Sequence, residues 1–206
     1  MRAADERRSQ WVSVVRSASS QTTAKPVNQP GGGPLRRPLG SIPCCLMVES
    51  QRNDAFVEPP RDEIPVISRA HVHAMEASDA EEVWVGAGMK QVMLQTIGRK
   101  SGRVHKVALP IWIDPDGHPI VVASFAGARQ HPAWYLNLAD RAANPEVFVR
   151  DRQHGFWAEA QILDGPEYHR IWVALTTDRP YYNDYQTRTD RRIPLVRLVE
   201  RRSAST

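Results

Sequence analysis

Beyond residue 90 the apolar positions fall in short runs divided by Gly, Pro, Asn and Asp. Gln91–Ile97 and Val104–Ile113 are rich in Val, Leu and Ile and have strand length. His118–Ser124 follows after Asp114-Pro115-Asp116-Gly117, a hairpin-turn composition. Glu146–Arg150 and Phe156–Leu163 read as a further strand pair, and Ile193–Val199 as the last strand. Helical spacing occurs between them. Val66, Ala70, His73, Ala74 and Ala77 predict one helix from Pro65 to about Glu82, either lying on the sheet or covering a pocket. Pro132 opens a short helix, Ala133–Ala142, which Asn144-Pro145 ends. Asp164-Gly165-Pro166 starts another, Glu167 to about Thr177, whose apolar stripe is Tyr168, Ile171, Trp172 and Leu175. Tyr181–Thr187 is a short helix or an ordered loop. Antiparallel strands with inserted helices predict an α+β barrel, not a doubly wound sheet.

The first 46 residues lack this patterning. Ser, Gln, Thr, Pro and Gly dominate, with Pro30-Gly31-Gly32-Gly33-Pro34 in the middle, so a disordered tail is expected. Residues 50–62 are polar, contain Pro59-Pro60 and read as a linker. The division is therefore a tail and linker over 1–62 and one folded domain over 63–206. Met47 is a candidate start, with 1–46 an upstream extension.

Charge sharpens this division. Seven Lys/Arg and two acids give 1–46 a charge of +5, so the other 160 residues carry −1 of the total +4. A nearly neutral domain argues against a nucleic-acid surface and for local recognition of a small anion. No apolar run reaches 18 residues and no secretory signal opens the chain, so a cytoplasmic protein without a transmembrane segment is the default. Cys44 and Cys45 are adjacent, and no histidine has zinc-ligand spacing, so no metal is expected.

The most chemical stretch is Gly98-Arg99-Lys100-Ser101-Gly102-Arg103, with Lys106 beyond it. It joins the first two strands. Its glycines permit a tight turn, and successive amides in such a turn converge on an anion with the cations beside it. The competing reading is a basic hairpin turn facing water. Neither a Walker motif nor a Gly-x-Gly-x-x-Gly fingerprint is present.

This turn is followed in order by Ser124 with Gly127, His131-Pro132-Ala133-Trp134-Tyr135-Leu136-Asn137-Leu138, Asn144-Pro145, Tyr185-Gln186 and Arg192-Ile193-Pro194-Leu195. The ordered set, over residues 90–199, closely resembles the deazaflavin-dependent nitroreductase family of actinobacteria. The resemblance implies a split β-barrel like that of flavin-nucleotide oxidases. It implies coenzyme F420 as cofactor, with FMN as the alternative. The activity implied is hydride transfer to a small-molecule acceptor: a quinone, an enone or a nitroaromatic compound. A cofactor or lipid carrier in the same fold is the runner-up.

The cofactor's phosphate and oligoglutamate tail would then meet Arg99, Lys100, Arg103 and Lys106, with Gly98, Ser101 and Gly102 shaping the turn. By family analogy Ser124, Gly127 and Asn137 lie near the cofactor; Asn137 serves equally well as a helix-terminal cap. Trp134 either stacks on the cofactor or belongs to the core. Tyr182 and Tyr185 would line the acceptor pocket and steady developing oxygen charge, or else pack their helix on the barrel. Two departures from the family pattern stand out. Arg179 replaces an aromatic six residues before Tyr185, which points to a more polar pocket or an anionic substrate. Ala126 replaces the first of two loop glycines. Monomer and homodimer both stay open, as does peripheral contact with a membrane.

Overall fold

The computed structural model describes residues 51, 56–86 and 88–204. The expectations for 1–46, including the cysteine pair, lie outside the described residues. Seven strands form one antiparallel sheet: β1 (Val85–Gly86), β2 (Met89–Ile97), β3 (Val104–Ile113), β4 (Pro119–Val122), β5 (Val147–Arg150), β6 (Gly155–Ile162) and β7 (Leu195–Ser203). Their order is β1-β2-β3-β4-β7-β6-β5, and β5 pairs back onto β2. Six strands therefore close a barrel, the α+β split barrel expected from the pattern. Closure removes the sheet edges that would otherwise expose unpaired backbone groups.

Among the described residues five α-helices decorate it: α1 (Ile64–Ala77), α2 (Glu81–Trp84), α3 (Ala133–Leu138), α4 (Gly165–Asp178) and α5 (Tyr181–Thr187). Alternation decides what each strand face meets. Val92, Leu94, Val121, Val149, Val196 and Leu198 point inward, where Trp134 and Leu138 of α3 join them. The outward Trp112 and Ile120, cross-strand partners on β3 and β4, pack under α4 and α5. Met93, also outward, meets Val72 and Met75 of α1.

Two helices differ from expectation. The predicted Pro65–Glu82 helix is divided at Ser78, which is extended. Ser78 Oγ accepts the Ala80 amide at 3.1 Å, and Ser78 O accepts Trp84 Nε1 at 3.0 Å. Such local bonds offer the backbone an alternative to continuing the helix. α3 stops at Leu138, short of Ala142. β7 runs on to Ser203, beyond Val199, because its charged residues are paired outside the barrel: Arg201 with Glu159 and Arg202 with Glu146.

The Pro59-Pro60 segment does not hang free. Phe56 stacks on Tyr181 with ring centroids 4.6 Å apart. Glu58 pairs with Arg188 at 2.8 Å, and Arg61 Nη2 donates to Ala126 O at 2.9 Å. These contacts lay the segment along α5.

Candidate active site

The β2–β3 turn is built as a rigid platform. Gly98 N donates to Arg103 O and Gly102 N to Gly98 O, both at 2.8 Å. Gly102 has φ +64°, which suits glycine. Gly98 matters for a different reason, the crowding of two exposed side-chain tips that would have to move. A Cβ there would lie 2.4 Å from Ser101 Oγ and 2.6 Å from His105 Nε2. Those two atoms bond each other at 3.0 Å, and Ser101 Oγ also takes the Arg103 amide at 3.3 Å.

Asn137 does something neither sequence reading anticipated. Its Oδ1 accepts the Arg99 amide at 3.2 Å, and its Nδ2 donates to Thr96 Oγ1 at 3.4 Å. Asn144 supports it from behind. Asn144 Oδ1 accepts Ile97 N at 2.6 Å, while its Nδ2 donates to Asn137 O at 2.8 Å and to Ile97 O at 3.0 Å. Both side chains are buried. They clamp the turn to α3, so the amides of Gly98, Arg99, Gly102 and Arg103 are all engaged within the protein. The amides of Lys100 and Ser101 make no hydrogen bond among the described residues.

Arg99, Lys100 and Arg103 are exposed and have no carboxylate partner among the described residues. Lys106 differs from them. Its Nζ lies 2.5 Å from Glu76 Oε1 of α1, and this partner holds the Glu76 carboxyl below its usual range. Lys106 thus ties α1 to β3 instead of joining an open cluster.

The β4–α3 loop is strained. Phe125 (φ +47°), Ala126 (φ +49°) and Gly127 (φ +71°) are successive left-handed residues, and the first two carry a Cβ. Such conformations cost about 1–3 kcal/mol per residue and persist where surroundings impose them. Arg191 ties down the residues on either side of this stretch. It donates to Ala128 O (2.8 Å), Ser124 O (2.7 Å) and Ala123 O (3.2 Å), and it lies 3.3 Å from His131 Nδ1. Burial and then the Arg191 charge hold the His131 imidazole below its ordinary value, so it is neutral at neutral pH. Gly127 is also required sterically, since a Cβ would lie 2.6 Å from Tyr185 O. Arg191 was missed in the sequence; a cation just ahead of a buried Ile193–Val196 run was the available signal.

Trp134 packs in the barrel core and meets Tyr135 edge-on at 6.2 Å. It forms part of the wall rather than an open stacking platform. Tyr182 and Tyr185 of α5 are buried together, with centroids 5.8 Å apart and Tyr181 beside both. Burial raises all three phenols well above their usual range, so each is a neutral donor. The contacts form one continuous run: turn, Asn137, α3, strained loop, then α5. Ile97–Val104 closes one end of β3 and Ile111, which accepts a bond from Arg179, lies near the other. Val104 and Ile111 are seven positions apart, about 23 Å of strand. The arrangement suits an elongated ligand, anionic at the turn and capable of accepting a hydrogen bond at the phenols.

Among the described residues no cluster of His, Cys, Asp or Glu is arranged to hold a metal, and no helix is long and apolar enough to cross a membrane. Comparison with known proteins identifies the fold's relatives. The sequence profile of the F420H(2)-dependent quinone reductase family matches residues 67–200. An F420H(2)-dependent quinone reductase of Mycobacterium tuberculosis is 34% identical over 113 residues, 53% of this chain and 73% of the relative. A solved F420-H2 dependent reductase is 36% identical, covering 52% of this chain and 92% of that one, with a TM-score of 0.44. A solved domain-swapped dimer is likewise 36% identical, covering 52% and 78%, with a TM-score of 0.45. The profile spans most of the barrel and every element just described, and the chain belongs to the F420H(2)-dependent quinone reductase family.

Proposed function

We propose that the chain reduces a quinone with reduced F420, binding the cofactor's anionic tail at the β2–β3 turn and the quinone beside α5. The observation that carries this reading is the clamped turn. Three exposed cations without acidic partners among the described residues sit on a backbone fixed by Asn137 and Asn144. Elsewhere in the barrel arginines such as Arg150, Arg197 and Arg202 are paired with carboxylates. The residues present fit the group: a phosphate and glutamate tail needs cations, and a planar ring needs a largely apolar wall.

F420, when bound, supplies a hydride. The chain's own residues bind and orient. Arg99, Lys100 and Arg103 hold the tail, and Gly98 and Gly102 keep the turn compact enough for all three to face one ligand. Arg191 fixes the strained Ser124–Ala128 wall. Tyr182, a neutral phenol, donates a hydrogen bond to the quinone oxygen on which negative charge develops, and Tyr185 supports its orientation. Nitro and enone acceptors belong to the same electronic class, since both put charge on oxygen.

Fluorescence titration with oxidised F420 tests the binding half directly. The wild-type chain is expected to saturate, and Arg99→Ala with Lys100→Ala to weaken binding at least tenfold, as charge-assisted contacts contribute about 1.5–3 kcal/mol each. Equal affinity in the double variant would remove the turn from the cofactor site.

A further inference from the structure

Arg179 is 2% exposed, at the junction of α4 and α5. Its Nη2 donates to Ile111 O at 2.7 Å. Its Nε and Nη1 are buried and have no hydrogen-bond partner among the described residues. An arginine is protonated at every accessible pH, and a buried cation is ordinarily paired or fully hydrogen-bonded. The chain meets that requirement for its other sheltered arginines. Arg197 engages Asp114, Asp116 and Glu167, and Arg191 engages three carbonyls. Arg179 stands apart from them: beyond Ile111 O, its guanidinium comes within reach of the Tyr182 hydroxyl without forming a well-aligned bond to it.

Its surroundings identify what those donors face. The bond to Ile111 O anchors the guanidinium, and Arg179 O accepts the Tyr182 amide at 3.2 Å across Pro180, which caps α5. Held there beside the two phenols, the Arg179 charge opposes the burial that raises them. If Arg179 served only to anchor α4 on β3, the single bond to Ile111 O would suffice, and a neutral side chain could make it without burying a charge.

We propose that Arg179 is the anion-recognition residue of the acceptor site, and that the chain prefers quinones bearing an ionised oxygen, the hydroxyquinone class, over neutral quinones. This rests on the acceptor site lying at α5. An enolate-type oxygen beside a carbonyl offers acceptors to a donor of Arg179 and to the Tyr182 hydroxyl together. A neutral quinone leaves the buried charge uncompensated.

The test compares 2-hydroxy-1,4-naphthoquinone, an anion at neutral pH, with its neutral 2-methoxy analogue. Binding to the full chain is read by quenching of tryptophan fluorescence. Wild type is expected to bind the hydroxyquinone at least tenfold more tightly. Arg179→Gln should bring the ratio close to one, and Arg179→Lys should restore part of it. A purely structural Arg179 would alter both affinities alike and leave the ratio unchanged. A wild-type ratio near one overturns the inference without any variant, so a failure of Arg179→Gln to fold does not protect it. Wild type binding both quinones equally sinks this inference alone. Wild type binding neither, while still binding F420, sinks the acceptor site at α5 and this inference with it.

Discussion

Gly127 is the residue whose replacement separates backbone strain from chemistry most cleanly. Alanine there must adopt φ +71° and place a Cβ 2.6 Å from Tyr185 O and 2.9 Å from Arg188 Cβ. Neither neighbour is a flexible side-chain tip. Gly127→Ala should therefore cost about 2 kcal/mol or more in chemical denaturation. Tyr182→Phe makes the opposite kind of change. It removes a hydroxyl and leaves the packing, so kcat with quinone should fall about tenfold to a hundredfold with F420 affinity nearly unchanged. A kinetically silent Tyr182→Phe would exclude the hydroxyl from the reaction. Single residues differed in how far the sequence disclosed them. The cations and glycines of the turn were visible because their chemistry is local. The Asn137–Asn144 clamp and the Arg191 bonds were not, because each depends on contacts 38 to 68 residues apart in the chain.

Elements here are held in place by charge as well as by apolar packing. The start of α4 is fixed to the β3–β4 hairpin and β7 by a network in which Arg197 and Arg170 share Glu167 and Asp116, with buried Asp114 accepting Arg197 Nε at 2.8 Å. Bonds from Arg170 and Arg197 lower Glu167 from 4.5 to about 2. A carboxylate lowered on folding stabilises the protein fully above its ordinary value and loses that effect as pH falls toward the folded value. The difference in Tm between wild type and Glu167→Gln should thus be largest near neutral pH and shrink below pH 4.5; a constant gap would show that this network does not stabilise the fold. Strand positions were legible from alternation because period-2 burial is a property of each segment alone. The break at Ser78 was not. Ala74 and Ala77 favour helix, and what stops it is a serine side chain whose bonds form only once Trp84 has docked.

For the whole molecule, barrel closure links the β2–β3 turn, α3, the strained loop and α5 in one run of contacts. Helices α1, α4 and α5 pack on the outward strand faces, and α3 plugs the interior. The charge balance places the excess positive charge in residues 1–46, which lie outside the described residues. A chain starting at Met47 should therefore match the full chain in F420 affinity and in Tm, and a loss of either would make the first 46 residues part of the working protein. Antiparallel order made the α+β barrel readable from sequence, whereas the placement of Arg179 behind the tyrosines required the packed structure. The central claim, hydride transfer from reduced F420 to a quinone, is met most directly by stopped-flow mixing of reduced F420 with the purified chain and menadione. The account predicts oxidised-deazaflavin absorbance returning with catalytic turnover, slowed at limiting cofactor by Arg99→Ala with Lys100→Ala and slowed at saturating cofactor by Tyr182→Phe. Oxidation no faster than in the protein-free mixture, from a chain that binds F420, would contradict it.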